Sequence, residues 1–97
     1  KKIKAERNKR IPTGELNGFM ERALAFQPPP RKGSKPLKIF YTTQADTEPP
    51  TFVFFVNDAN LAHFSYQRFI ENKIRETYGF YGTPVRLVFR NRETDRK

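Results

Sequence analysis

Cysteine is absent from this chain, which excludes structural disulfides, thiolate zinc sites and cysteine nucleophiles and fits a reducing compartment. Tryptophan is missing too, and His63 is the single histidine. A general base needs an oriented partner, and the ten Asp and Glu are scattered, with no pair on a shared, shielded face. His63 therefore reads as a capping or surface residue in a turn. Glycine is scarce, at five residues. Gly14 and Gly33 stand alone, without the GxxxxGK-Ser/Thr spacing of a nucleotide phosphate loop. No stretch approaches the roughly 20 apolar residues of a membrane span, and no apolar segment follows the basic start as in a secretory signal. The residues offer no catalytic constellation, no metal site and no membrane anchor, and a cytoplasmic location is the expectation.

Positive charge and phenylalanine are what the chain has in abundance. The formal charge is +9 over 97 residues, from 19 Lys and Arg, and it is uneven. Residues 1–38 carry eleven basic side chains against Glu6, Glu15 and Glu21, a net +8, and the rest is nearly neutral. A concentrated positive field attracts polyanions, of which nucleic acid is the commonest. The candidates are the basic arm, with Lys9 and Arg10, the loop Arg31, Lys32 and Lys35, and Lys38 just beyond it. The plainer alternative is solvated surface charge.

Residues 1–10 are charged and poor in apolar groups, and read as an arm or linker from a preceding domain. A folded region is expected over 11–91, with a polar tail at 92–97. Leu16, Phe19, Met20, Ala23 and Leu24 recur at helical spacing, with Thr13 as N-cap and Pro28-Pro29-Pro30 as the stop. From Leu37 the period is two: Leu37, Ile39, Tyr41 and Thr43 would face one way, Lys38, Phe40, Thr42 and Gln44 the other. Thr51–Val56 reads as a strand apolar on both faces, hence central. Phe40 and Phe55 fall on faces that a three-stranded sheet could leave open, where exposed aromatics would mark a contact surface. After Asn57-Asp58 there is room for one helical turn. A second helix follows, with Ser65 as N-cap, Phe64 and Phe69 as a hydrophobic staple, a Tyr66, Ile70, Ile74, Tyr78 stripe, and Gly79 as C-terminal stop. Val85, Leu87 and Phe89 alternate with Arg86, Val88 and Arg90 in a last strand. The economical result is an α+β domain with helices packed on one face of a three-stranded sheet.

This α-β-β-α-α-β order resembles a type II KH domain. The segments RIPTGELN, FQPPP, LKIFYTTQ, PPTFVFFVN, FSYQRFIENKIRE and GTPVRLVFR resemble, in collinear order over about residues 10–90, the C-terminal KH-like domain of the EngA/Der tandem GTPases. The resemblance implies a role in assembly of the large (50S) ribosomal subunit, with ribosomal RNA and the GTPase domains of the same chain as partners. Two GTPase domains would precede Lys1, and GTP and Mg²⁺ would belong to them, with no cofactor in the present chain. An alternative is a protein-interaction module that packs on those domains and couples the GTP state to ribosome binding. RNA-binding KH domains clamp single strands with a GxxG turn between consecutive helices. The corresponding stretch here, Ala62-His63-Phe64-Ser65, contains no glycine. The resemblance thus implies a kept fold with the usual clamp missing, and phosphate contacts by Lys and Arg in its place.

Overall fold

The computed structural model describes residues 10–29, 31–32 and 35–92, with backbone only at Arg31 and Lys32. The expected arm through Lys9 and the tail beyond Arg92 lie outside these residues. Helix α1 (Thr13–Phe26) is followed by two short strands, β1 (Arg31–Lys32) and β2 (Lys35–Pro36), which pair as a hairpin where the sequence suggested a loop. Then come β3 (Ile39–Thr47), β4 (Pro50–Val56), a 3₁₀ turn (Ala59–Leu61), α2 (Phe64–Tyr78) and β5 (Arg86–Asn91). The main sheet has the order β3-β4-β5, with β4 antiparallel to β3 and parallel to β5.

The apolar pattern of β4 explains its central place. Phe52, Phe54 and Val56 are fully buried in one cluster with Leu16, Phe19 and Met20 of α1 and Tyr66, Ile70 and Ile74 of α2. Both helices therefore cover the same face of the sheet. Phe89 stacks on Phe54 with ring centroids 4.7 Å apart, and Phe19 meets Tyr78 edge-on between the helices at 5.4 Å. Gly79 ends α2 in the left-handed conformation (φ 77°), its N–H donating to the Arg75 carbonyl, as its place after the Tyr78 stripe predicts. Phe80, just beyond, closes the core against Phe52.

Local expectations are corrected at three places. Thr13 is the first residue of α1 and not its cap. Pro12 holds the N-cap position with no side-chain cap, and its carbonyl accepts from Leu16 N. The chain's entry is set instead by buried Ile11, whose N–H donates to Gln44 Oε1 at 2.7 Å. Likewise His63, not Ser65, occupies the N-cap position of α2, again without a side-chain bond. Phe64 opens that helix 71% exposed and so makes no staple; Phe69 instead packs on Tyr66 at 5.3 Å.

The third correction concerns β3. Its register against β4 shifts between Ile39 and Tyr41 and again between Gln44 and Asp46. One extra residue reverses every side chain that follows it. Ile39 therefore shares the helix side with Leu37, but Thr42 and Gln44, not Tyr41 and Thr43, turn inward and are buried. Tyr41 pairs with Phe55, and Thr43 with Val53, on the face away from the helices.

Candidate nucleic-acid interface

The first half of the turn that would carry a KH clamp is bonded internally. The N–H groups of Leu61, Ala62 and His63 donate to the carbonyls of Asp58, Ala59 and Leu61. The Ala62 carbonyl accepts Gln67 Nε2 at 2.7 Å, and the His63 carbonyl accepts Gln67 N at 2.9 Å. Asp58 caps the 3₁₀ turn by accepting from Asn60 N. Ala62 is buried, His63 half-buried, and Phe64 and Ser65 are exposed in the first turn of α2. A GxxG clamp works because glycines let backbone come close to a nucleotide. This stretch has neither glycines nor free amides at Leu61–His63.

The basic candidates separate into two places. Lys35 and Lys38 are both exposed, on and just after the basic hairpin. Asn57 holds this segment to the end of β4. Its Oδ1 accepts from Lys38 N at 2.8 Å, its N–H donates to the Lys38 carbonyl, and its Nδ2 donates to the Pro36 carbonyl. Arg10 lies elsewhere: its Nη1 donates to the Gln44 carbonyl at 2.8 Å, roughly 20 Å along β3 from Lys38 at strand rise per residue. Arg10 thus serves β3 directly. Lys9 and the side chains of Arg31 and Lys32 are outside the described residues.

The face of the sheet opposite the helices adds residues that charge counting along the chain missed. Cross-strand registers set Tyr41, Phe55 and Arg90 in one row, Thr43, Val53 and Val88 in the next, and Thr51 beside Arg86 at the far end. The rings of Tyr41 and Phe55 lie 6.1 Å apart. Phe40, in the bulge, is 42% exposed and carries the Arg92 guanidinium 4.0 Å from its ring centroid; Tyr41 is 47% exposed. An open depression of about 840 Å³ at this end is lined by Tyr41, Phe55, Ala59, Phe89, Arg90 and Arg92, among others. The signal for it was present in the Arg86, Val88, Arg90 alternation, but a nearly neutral half of the chain gave no reason to weigh it.

Residues 10–90 match a family model described as the KH-domain-like, C-terminal domain of EngA bacterial GTPase enzymes. The chain belongs to that family. It is also similar to proteins named GTPase Der. It is 56% identical to that of Thermomicrobium roseum over 91 residues, covering 94% of this chain and 20% of the relative. Identity to the Symbiobacterium thermophilum protein is 54% over 93 residues (96% of this chain, 20% of the relative). For Chloroflexus aggregans it is 52% over 95 residues (96% and 21%). The chain thus spans about a fifth of the length of the curated relatives it matches. Within this KH-like domain, the described residues hold no group of three or more potential metal ligands and no helix long and apolar enough to cross a membrane. The sequence also lacks the GxxxxGK-Ser/Thr spacing of a phosphate loop.

Proposed function

We propose that this KH-like domain is a ribosomal-RNA-binding module of a cytoplasmic, ribosome-associated GTPase that acts in assembly of the large (50S) ribosomal subunit. GTP hydrolysis, with its GTP and Mg²⁺, belongs to domains outside this chain. The observation that carries the reading is the charge. A net +9 accompanies a clamp-equivalent turn, Ala62–Ser65, that has no glycine and whose Ala62 and His63 amides are already bonded. Binding then relies on Lys and Arg contacts to phosphates, which position RNA without reading its sequence. A second reading, packing on the GTPase domains of the same parent chain to couple GTP state to ribosome binding, is favoured by Phe26 and Tyr81, both large, apolar and mostly exposed. The two are compatible.

The test is RNA binding measured at several salt concentrations. Log K should fall by roughly 0.7–0.9 per phosphate neutralised against log salt. Replacing Arg31, Lys32 and Lys35 together by Ala should weaken binding similarly across RNA sequences and make the slope shallower. Loss of binding in a folded His63→Ala variant, with the triple variant unaffected in affinity and slope, would overturn the electrostatic reading.

A further inference from the structure

We infer that the open face of the main sheet is a stacking platform for the bases of single-stranded RNA, centred on Tyr41 and Phe55 and flanked by Arg90 and Arg92. This inference rests on the RNA-binding reading above and supplies it with a second contact surface of different chemistry.

Composition of the face argues for a nucleotide strand. Aromatic rings exposed on a sheet offer π-faces on which any base can stack, and neighbouring arginines add cation–π and phosphate contacts. Here one row sets exposed Tyr41 and half-buried Phe55 beside exposed Arg90 in adjacent strands. Phe40 with Arg92 over its ring extends them past the edge of the row. Charge favours the same occupant. The row and its Thr43, Val53, Val88 neighbours contain no carboxylate; Asp46 pairs with Thr51 at the opposite end, beside Arg86. An anionic ligand meets arginine at either end of the face, and the paired rows of the aromatic end carry no acid.

Position supplies the remaining argument. Tyr41 is three residues after Lys38, and Phe55 two before Asn57, whose side chain fastens the Pro36–Lys38 segment to the end of β4. The aromatic end of the sheet and the Pro36–Lys38 segment are therefore adjacent. A strand can place phosphates on Lys35 and Lys38, both exposed, while its next bases lie across Tyr41 and Phe55. Conversely, the GxxG-equivalent turn has no glycine, and its Ala62 and His63 amides are already bonded.

The experiment compares a fluorescein-labelled 12-nucleotide single-stranded RNA, its abasic analogue, and a 12-base-pair RNA duplex as probes of the 97-residue chain. Tyr41→Ala should weaken single-strand binding by about 5- to 150-fold, the range for loss of one stacked base, with the salt slope unchanged. Tyr41→Phe should retain binding. Arg90→Ala should weaken binding and reduce the slope by roughly 0.7. The abasic probe should bind the unsubstituted chain and Tyr41→Ala alike. On the unsubstituted chain, 4-thiouridine placed along the RNA should photo-crosslink to Tyr41 or Phe55, a readout independent of any variant's folding. Three results would overturn the inference. Equal affinity of the chain and its folded Tyr41→Ala variant, with crosslinks confined to the hairpin, would leave RNA binding intact but remove the platform. Protection of Tyr41 and Phe55 by the rest of the full-length parent, with RNA binding indifferent to both, would make the face a protein interface. Failure of all three probes to bind at low salt would instead refute the RNA-binding reading itself, and the platform with it.

Discussion

Asn17 and Thr42 exchange two hydrogen bonds: Thr42 N donates to Asn17 Oδ1, and Asn17 Nδ2 donates to the Thr42 carbonyl, each at 2.9 Å. The side-chain amide of α1 thus occupies the place a neighbouring strand would take on β3. Two residues on, Arg10 bonds the Gln44 carbonyl on the same edge. An uncovered edge of this length is an invitation to pair with another chain. Asn17→Ala should destabilise the fold by about 2–3 kcal/mol, since it removes both bonds to Thr42, together with the one from Nδ2 to the Thr13 carbonyl, and strands the Thr42 backbone groups. Urea unfolding measures this. A loss below about 0.5 kcal/mol would mean that water serves that edge equally well.

The same residue carries an opposite prediction. Thr42 Oγ1 is buried with no hydrogen-bond partner among the described residues. An unpaired buried hydroxyl costs about 1–3 kcal/mol on protein scales. Thr42→Val keeps the shape and discards the hydroxyl, so it should raise stability by about 1 kcal/mol, read as a higher urea midpoint at constant slope.

Core and surface phenylalanines separate cleanly. Phe19→Ala and Ile70→Ala each remove a buried side chain at the junction of helices and sheet and should cost roughly 2–5 kcal/mol. Phe64→Ala, exposed beside Arg68, should cost less than about 0.5 kcal/mol. Lys73 lies between these cases. Its ammonium sits 4.4 Å from the Phe26 ring centroid and 3.5 Å from Glu76, so Lys73→Ala should cost about 0.5–1 kcal/mol. Equal thermal midpoints for all four variants would show that the faces are misassigned.

Alkaline pH should loosen the helix pair through Tyr66. Its hydroxyl donates to the Gln27 carbonyl at 2.7 Å, tying α2 to the end of α1, and burial pushes its pKa up to about 12. Burial raises Tyr78 as well, helped by the negative charge of Glu15. A phenol raised above its unfolded value near 10 contributes stability in full below pH 10. That contribution is lost as pH rises from about 10 to about 12. Tyr66→Phe forfeits the hydrogen bond at neutral pH but has no proton to lose. The stability gap between the chain and this variant should therefore narrow across that window in urea titrations at stepped pH. A constant gap would show that Tyr66 titrates normally.

The elements legible in the sequence were those decided by neighbours along the chain. The apolar spacing of α1 and α2, the two-sided burial of β4 and the stop at Gly79 each follow from periodicity or local backbone freedom, and the α+β class follows from their order. The absence of glycine from Ala62–Ser65 was equally plain, and it excludes the GxxG clamp without any coordinates. Tertiary structure decided whatever depended on residues distant in the chain. The bulge at Phe40 exists only relative to β4, and one inserted residue turned Thr42 inward and Tyr41 outward, against the alternation read from Leu37 onward. Helix entry passed from the hydroxyl of Thr13 to Gln44, 33 residues from the Ile11 amide it holds, because that amide is buried and needs an acceptor. Charge behaved the same way. Summed along the chain it pointed to residues 1–38, yet parallel pairing of β5 with β4 carries Arg90 across the sheet to Phe55 and Tyr41, and proximity of that kind is a property of the sheet, with no trace in the linear sum.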